Sequence, residues 1–168
     1  LGEGWWKQRL VNIAVHMGVV ATLYALLKAL FVQTRFPDDI EEQAHFTTSR
    51  LAALRVAVAL FALNPVAVYA VGYLIQRSIL MATLFALLAC WAWVRALQTQ
   101  RLAWFGLALL CYMLAVLSKE HTIMTAAIAV PLYVYIRRPS WKAAAPVAGA
   151  MALVLALAVA ALLHFYGG

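Results

Sequence analysis

Apolar residues along this chain come in long uncharged blocks, with polar residues gathered into short breaks between them. A run of about 20 apolar residues matches the hydrocarbon thickness of a bilayer when coiled as a helix. Read this way, the sequence predicts spans over residues 10–32, 51–63, 78–97, 102–117, 122–136 and 145–165. The expected fold class is therefore all-α: a polytopic integral membrane protein with about six transmembrane helices, some short or broken. Residues 1–168 read as a single transmembrane helical domain belonging to a longer membrane protein. The second block is the weakest span. At 1.5 Å per residue it rises only roughly 20 Å against a core of about 30 Å. It either begins within Thr47-Thr48-Ser49 or continues past Asn64-Pro65 as a kinked helix.

Composition agrees with the pattern. Hydrophobic residues make up 67% and charged residues 11%, where soluble domains have about 45–50% and about 25%. The net charge of +7 is spread between apolar runs and forms no dense patch, so nucleic acid is not an expected partner. Cys90 and Cys111 fall inside apolar blocks and read as buried small hydrophobes, with no metal spacing. Trp5 and Trp6 beside Lys7 and Arg9 mark an interface belt. Asp38, Asp39, Glu41 and Glu42 cluster in the polar stretch 33–50. They read as a turn into a short surface helix, with acids at its start, in preference to a metal site.

The cations give an orientation. Alternate links place Lys28, Arg35, Arg50, Arg55, Arg95, Arg101, Arg137, Arg138 and Lys142 on one side. Lys7, Arg9, Arg77 and Lys119 fall on the other. The positive-inside bias makes residues 33–50, 98–101 and 137–142 cytoplasmic. Arg77 and Lys119 then run against the trend, on the extracytoplasmic face.

Two polar knots at that level hold the candidate chemistry. The first is the stretch from Asn64-Pro65 to Gln76-Arg77-Ser78, with Tyr69 and Tyr73 inside it. The second is Ser118-Lys119-Glu120-His121. Arginine offers planar bidentate contacts and lysine a point charge, so Arg77, Lys119 and His121 suit a phosphate or pyrophosphate. At a membrane face the natural phosphate is a lipid headgroup. Glu120, the candidate catalytic residue, has three roles open to it: orienting Lys119, binding a divalent metal, or acting as a base. No cofactor is assigned. The competing reading is a structural ion pair of Glu120 with Arg77 or Lys119. Asn12 and His16, four apart on one face of the first span, read either as a helix–helix hydrogen bond or as cavity-lining groups.

Three passages also carry a resemblance. They are Arg9-Leu10-Val11-Asn12-x-x-x-His16, Asn64-Pro65-x-x-x-Tyr69-Ala70-Val71-x-Tyr73-x-Ile75-Gln76-Arg77-Ser78, and Leu117-Ser118-Lys119-Glu120. In this order and spacing the chain resembles polytopic glycosyltransferases of the C superfamily, the bacterial relatives of transmembrane tetratricopeptide-repeat O-mannosyltransferases. Asn64-Pro65 stands where that family often has histidine before proline. The resemblance implies a polyprenyl-phosphate-linked sugar donor and an extracytoplasmic acceptor. It also implies that Arg77 and Lys119 contact the lipid phosphate; the residues themselves read as adding Gln76 and His121 to that site, with Asn12, His16, Tyr69 and Tyr73 lining the cavity. The family's catalytic acid lies in a first extracytoplasmic loop ahead of the span matching residues 10–32, which is expected upstream of this chain. The implied partners are membrane lipids, the polyprenyl-phosphate donor and further membrane subunits, in a bacterial inner membrane. Two other readings are a non-catalytic membrane subunit of a larger complex and a transporter; against the transporter, the two halves show no inverted repeat.

Overall fold

The computed structural model describes residues 5–31, 40–64 and 77–166. Among these there is no strand. Six α-helices follow one another: α1 (Trp5–Phe31), α2 (Ile40–Leu63), α3 (Arg77–Thr99), α4 (Leu102–Ser118), α5 (Thr125–Arg137) and α6 (Trp141–Tyr166). A 3₁₀ helix, Glu120–Met124, joins α4 to α5. The protein is an all-α membrane protein, as its hydropathy predicts. Helices satisfy every backbone group within one segment, which is what a hydrocarbon solvent demands. Among the described residues, three segments are long and apolar enough to cross a bilayer: Trp6–Phe31, Arg77–Thr99 and Trp141–Ala160; Leu102–Ser118 is a shorter apolar helix.

Three boundaries differ from the sequence reading. The second helix is not short: it starts at Ile40 and runs for 24 residues, or about 36 Å. Glu41, Glu42, Gln43 and Ala44 are good helix formers, so the polar stretch that ends the hydropathy signal does not end the helix. The fifth span opens as a 3₁₀ turn before it becomes α-helical at Thr125. The sixth starts at Trp141, which takes Lys142 into its first turn and leaves a link of residues 138–140.

Contacts divide the chain into two compact units, Leu1–Leu80 and Met81–Gly168. In the first, α1 packs on α2. The buried stripe of α1 is Asn12, His16, Val19 and Leu26, while Leu10, Val11, Ile13 and Met17 are exposed. Leu54 and Val58 are the buried residues of α2. Polar groups thus lie within the unit and large apolar side chains face outward.

The second unit is built on small residues. Ala89, Cys111, Tyr112 and Ala126 form a buried cluster, with Leu88, Val116 and Val154 against it. Alanine at these positions lets helix backbones approach closely. The α3–α4 hairpin is further held by two edge-to-face aromatic pairs. Trp91 meets Trp104 at 5.3 Å and Trp93 meets Phe105 at 5.6 Å between ring centroids. Each such pair adds about 0.5–1.5 kcal/mol beyond its burial. The hairpin turn is tight because Gln100 takes a left-handed backbone with φ 55°. Its side-chain amide offsets that strain by donating to the Leu97 carbonyl at 3.0 Å, covering one of the open carbonyls of α3.

Candidate functional site

Arg77 is the first residue of α3. A cation there meets the positive end of the helix dipole, and the first turn of α3 carries no acid to offset it. The offset comes from α1. Arg77 Nε donates to Asn12 Oδ1 at 3.1 Å, and Nη2 donates to the Gln8 carbonyl at 3.4 Å. Asn12 is wholly buried, 0% exposed, so its carbonyl is a fixed acceptor. The Asn12–Arg77 bond links residues 65 apart in sequence. His16, one turn further along the same face, points to α2. Its Nε2 donates to the Ala62 carbonyl at 3.1 Å, and its ring stacks on Phe61 at 6.4 Å. Of the two readings of Asn12 and His16, the helix–helix hydrogen bond is what these geometries describe. Tyr69, Tyr73 and Gln76 lie outside the described residues.

In the second unit the Ser118-Lys119-Glu120-His121 knot is a sharply made turn. Lys119 leaves the helix, with φ −160° and ψ 125°. Its N–H still donates to the Ala115 carbonyl at 3.0 Å, and Ser118 Oγ donates to the Leu114 carbonyl at 2.7 Å, so the last turn of α4 gains two bonds at its end. The carbonyl of Lys119 accepts both from Thr122 Oγ1 at 2.7 Å and from the Thr122 N–H at 3.1 Å. Tyr112 OH, buried within α4, donates to the Ile123 carbonyl at 3.1 Å and pins the turn from below.

The three ionisable groups of this turn converge on one oxygen. Lys119 Nζ is 3.9 Å and His121 Nδ1 is 3.7 Å from Glu120 Oε1. The N–H of Glu120 itself, at the start of the 3₁₀ helix, holds the carboxyl below its ordinary range, with smaller help from Lys119 and His121 against a partial desolvation. Glu120 is therefore ionised at neutral pH. That ionised state is compatible with each role read for it: orienting Lys119, binding a divalent metal, or accepting a proton as a base. Lys119 is the most sheltered of the three, its side chain 33% exposed against 49% for Glu120 and 68% for His121.

Thus Asn12 and Arg77 are brought together in the first unit, and Lys119, Glu120 and His121 in the second. Tyr112 and Thr122, which set the second turn, carry no signal strong enough to single them out in sequence. A phenol inside an apolar span was the available hint, since its hydroxyl needs a partner there.

Long apolar helices joined by short polar turns define an integral membrane protein. The sequence matches the dolichyl-phosphate-mannose-protein mannosyltransferase family over residues 44–164, and the chain belongs to that family. It is thus a membrane domain of glycosyltransferase type. No curated protein and no solved structure matches it.

Proposed function

We propose that this chain is the membrane core of a glycosyltransferase taking its sugar from a polyprenyl-phosphate-linked donor at the extracytoplasmic face of a bacterial inner membrane. Residues 33–50, 98–101 and 137–142 lie on the cytoplasmic side in this reading. Arg77 and Lys119 hold the lipid phosphate, with Gln76 and His121 beside them. Asn12, His16, Tyr69 and Tyr73 line the cavity, and Glu120 orients the two cations of its turn. The observation that carries the reading is the family match, whose span includes both Arg77 and Lys119. The chemistry agrees. Among the described residues Arg77 donates from Nε to Asn12 and from Nη2 to Gln8, and a guanidinium's planar fork suits phosphate oxygens. Lys119 is half-sheltered and supplies a point charge.

The test uses the full-length protein in membranes, supplied with a polyprenyl-phosphate-linked sugar. Arg77→Gln and Lys119→Met should each weaken donor binding at least about tenfold, roughly the 1.5 kcal/mol or more of a charge-assisted hydrogen bond. Transfer should fall with it, with thermal unfolding near wild type in Lys119→Met and lowered in Arg77→Gln, which also loses the bond to Asn12. Wild-type transfer by both variants would overturn the assignment. A wild-type protein that neither binds donor nor transfers sugar, yet co-purifies with a partner, would favour the non-catalytic membrane subunit.

A further inference from the structure

The second unit holds a cavity of about 230 Å³ framed by α3, α4, α5 and α6. Its wall includes Ala89, Trp93, Ala108, Tyr112, Ala126 and Val154. The two largest polar groups in that wall are already committed. Trp93 Nε1 donates to the Ala129 carbonyl at 3.0 Å, and Tyr112 OH donates to the Ile123 carbonyl. Thr125 adds one hydroxyl, short of the two to four polar partners that a buried water needs. Water is therefore a poor occupant. An empty void of this size is poor too, because its lining side chains lose their contacts on one side.

Leu109 belongs both to the cavity wall and to the exposed apolar surface of α4, so the cavity communicates with the lipid-facing exterior. We propose that this cavity is a binding site for one acyl chain of a bilayer phospholipid. Size is consistent: an apolar cavity of about 150 Å³ takes benzene, so this one holds about nine carbons, the end segment of a fatty acyl chain. Supply selects the same occupant, since acyl chains are the medium around these helices and mass action favours the ligand in greatest excess. The small side chains Ala89, Ala108 and Ala126 give the chain its room.

The experiment is photolabelling of the full-length protein in nanodiscs made with a phospholipid that carries a diazirine near the end of one acyl chain. Adducts are mapped by peptide mass spectrometry. Labelling is expected within residues 89–93 and 108–112 at inward positions such as Trp93 and Tyr112, and should drop at least fivefold in Ala126→Leu, which fills the cavity. If that variant fails to fold, Ala108→Val serves the same purpose. Labels confined to outward positions such as Leu107 and Leu110, or undiminished by either filled variant, would overturn the proposal. So would a diazirine-bearing polyprenyl phosphate that labels Trp93 and displaces the phospholipid, since the occupant would then be an isoprenoid. No sugar transfer is read, so this proposal and the transferase reading fail independently.

Discussion

In the first unit three polar side chains of α1 are interior. Asn12, His16 and Thr22 are buried on α1, and each has a carbonyl or guanidinium partner: Ala62, Gly18 and Arg77 among them. In the second unit the interior is alanine, aromatic rings and an apolar cavity, while Lys119, Glu120 and His121 sit in a partly exposed turn at the end of α4. The difference shows two ways of keeping polarity in an apolar medium. One buries it in hydrogen bonds, those of Asn12 and His16 crossing to neighbouring helices and that of Thr22 staying within α1. The other moves it to a helix end, where open backbone groups and water share the load. The first arrangement fixes a single cation rigidly. The second leaves Lys119 and His121 near Glu120 at 3.9 and 3.7 Å, beyond hydrogen-bond distance and partly in solvent.

The strongest way to break this contrast is to remove the interior acceptor. Asn12→Leu keeps the volume roughly but deprives Arg77 Nε of its partner. It should lower stability by about 1.5–3 kcal/mol, the range for hydrogen bonds to charged groups. Asn12→Asp, which keeps an acceptor oxygen, should recover much of the loss. Thermal unfolding in detergent is the measurement, and equal melting of the leucine variant and wild type would show that the seam is not what holds Arg77.

A smaller effect is expected beneath the second turn. Tyr112→Phe deletes only the hydroxyl that donates to Ile123. It should cost about 1 kcal/mol and raise amide hydrogen exchange over residues 120–124 while leaving α1 and α2 unchanged. Uniform exchange across the chain would contradict a local anchor.

The smallest effect belongs to Glu120, whose partners are half in solvent. Its carboxyl is held below the ordinary range in the folded protein, so its contribution is present above the unfolded-state pKa. It is lost as pH falls through the lower folded-state pKa. Wild type should melt slightly above Glu120→Gln at pH 7, with the gap closing as acid protonates the carboxylate. A gap that widens on acidification would mean that the sign of the shift is wrong.

Much of the first unit's chemistry was legible before its geometry. Arg77 announced itself as a lone cation between apolar blocks, and Asn12 and His16 as polar residues on one helical face. A charge in an apolar run has few places to go. The Ser118-Lys119-Glu120-His121 turn was legible as a break in hydropathy, and its ion pairing followed from adjacent opposite charges. Its 3₁₀ geometry was not, because the Thr122 and Tyr112 bonds that shape it depend on backbone carbonyls, which every residue carries alike. The extension of α2 back to Ile40 was missed because hydropathy reports the solvent a segment prefers, whereas helix formation depends on backbone and side-chain entropy.

The amino-acid sequence alone determined that this is an all-α membrane protein and where most of its helices lie. Those properties follow from local composition, since a bilayer tests each segment by its own transfer energy. Only the tertiary structure decided that Asn12 receives Arg77, that His16 is taken by the Ala62 carbonyl, and that four helices leave an apolar cavity among their alanines. Those are outcomes of packing between residues distant in the chain, where shape and the geometry of donors and acceptors choose among partners that sequence leaves equal.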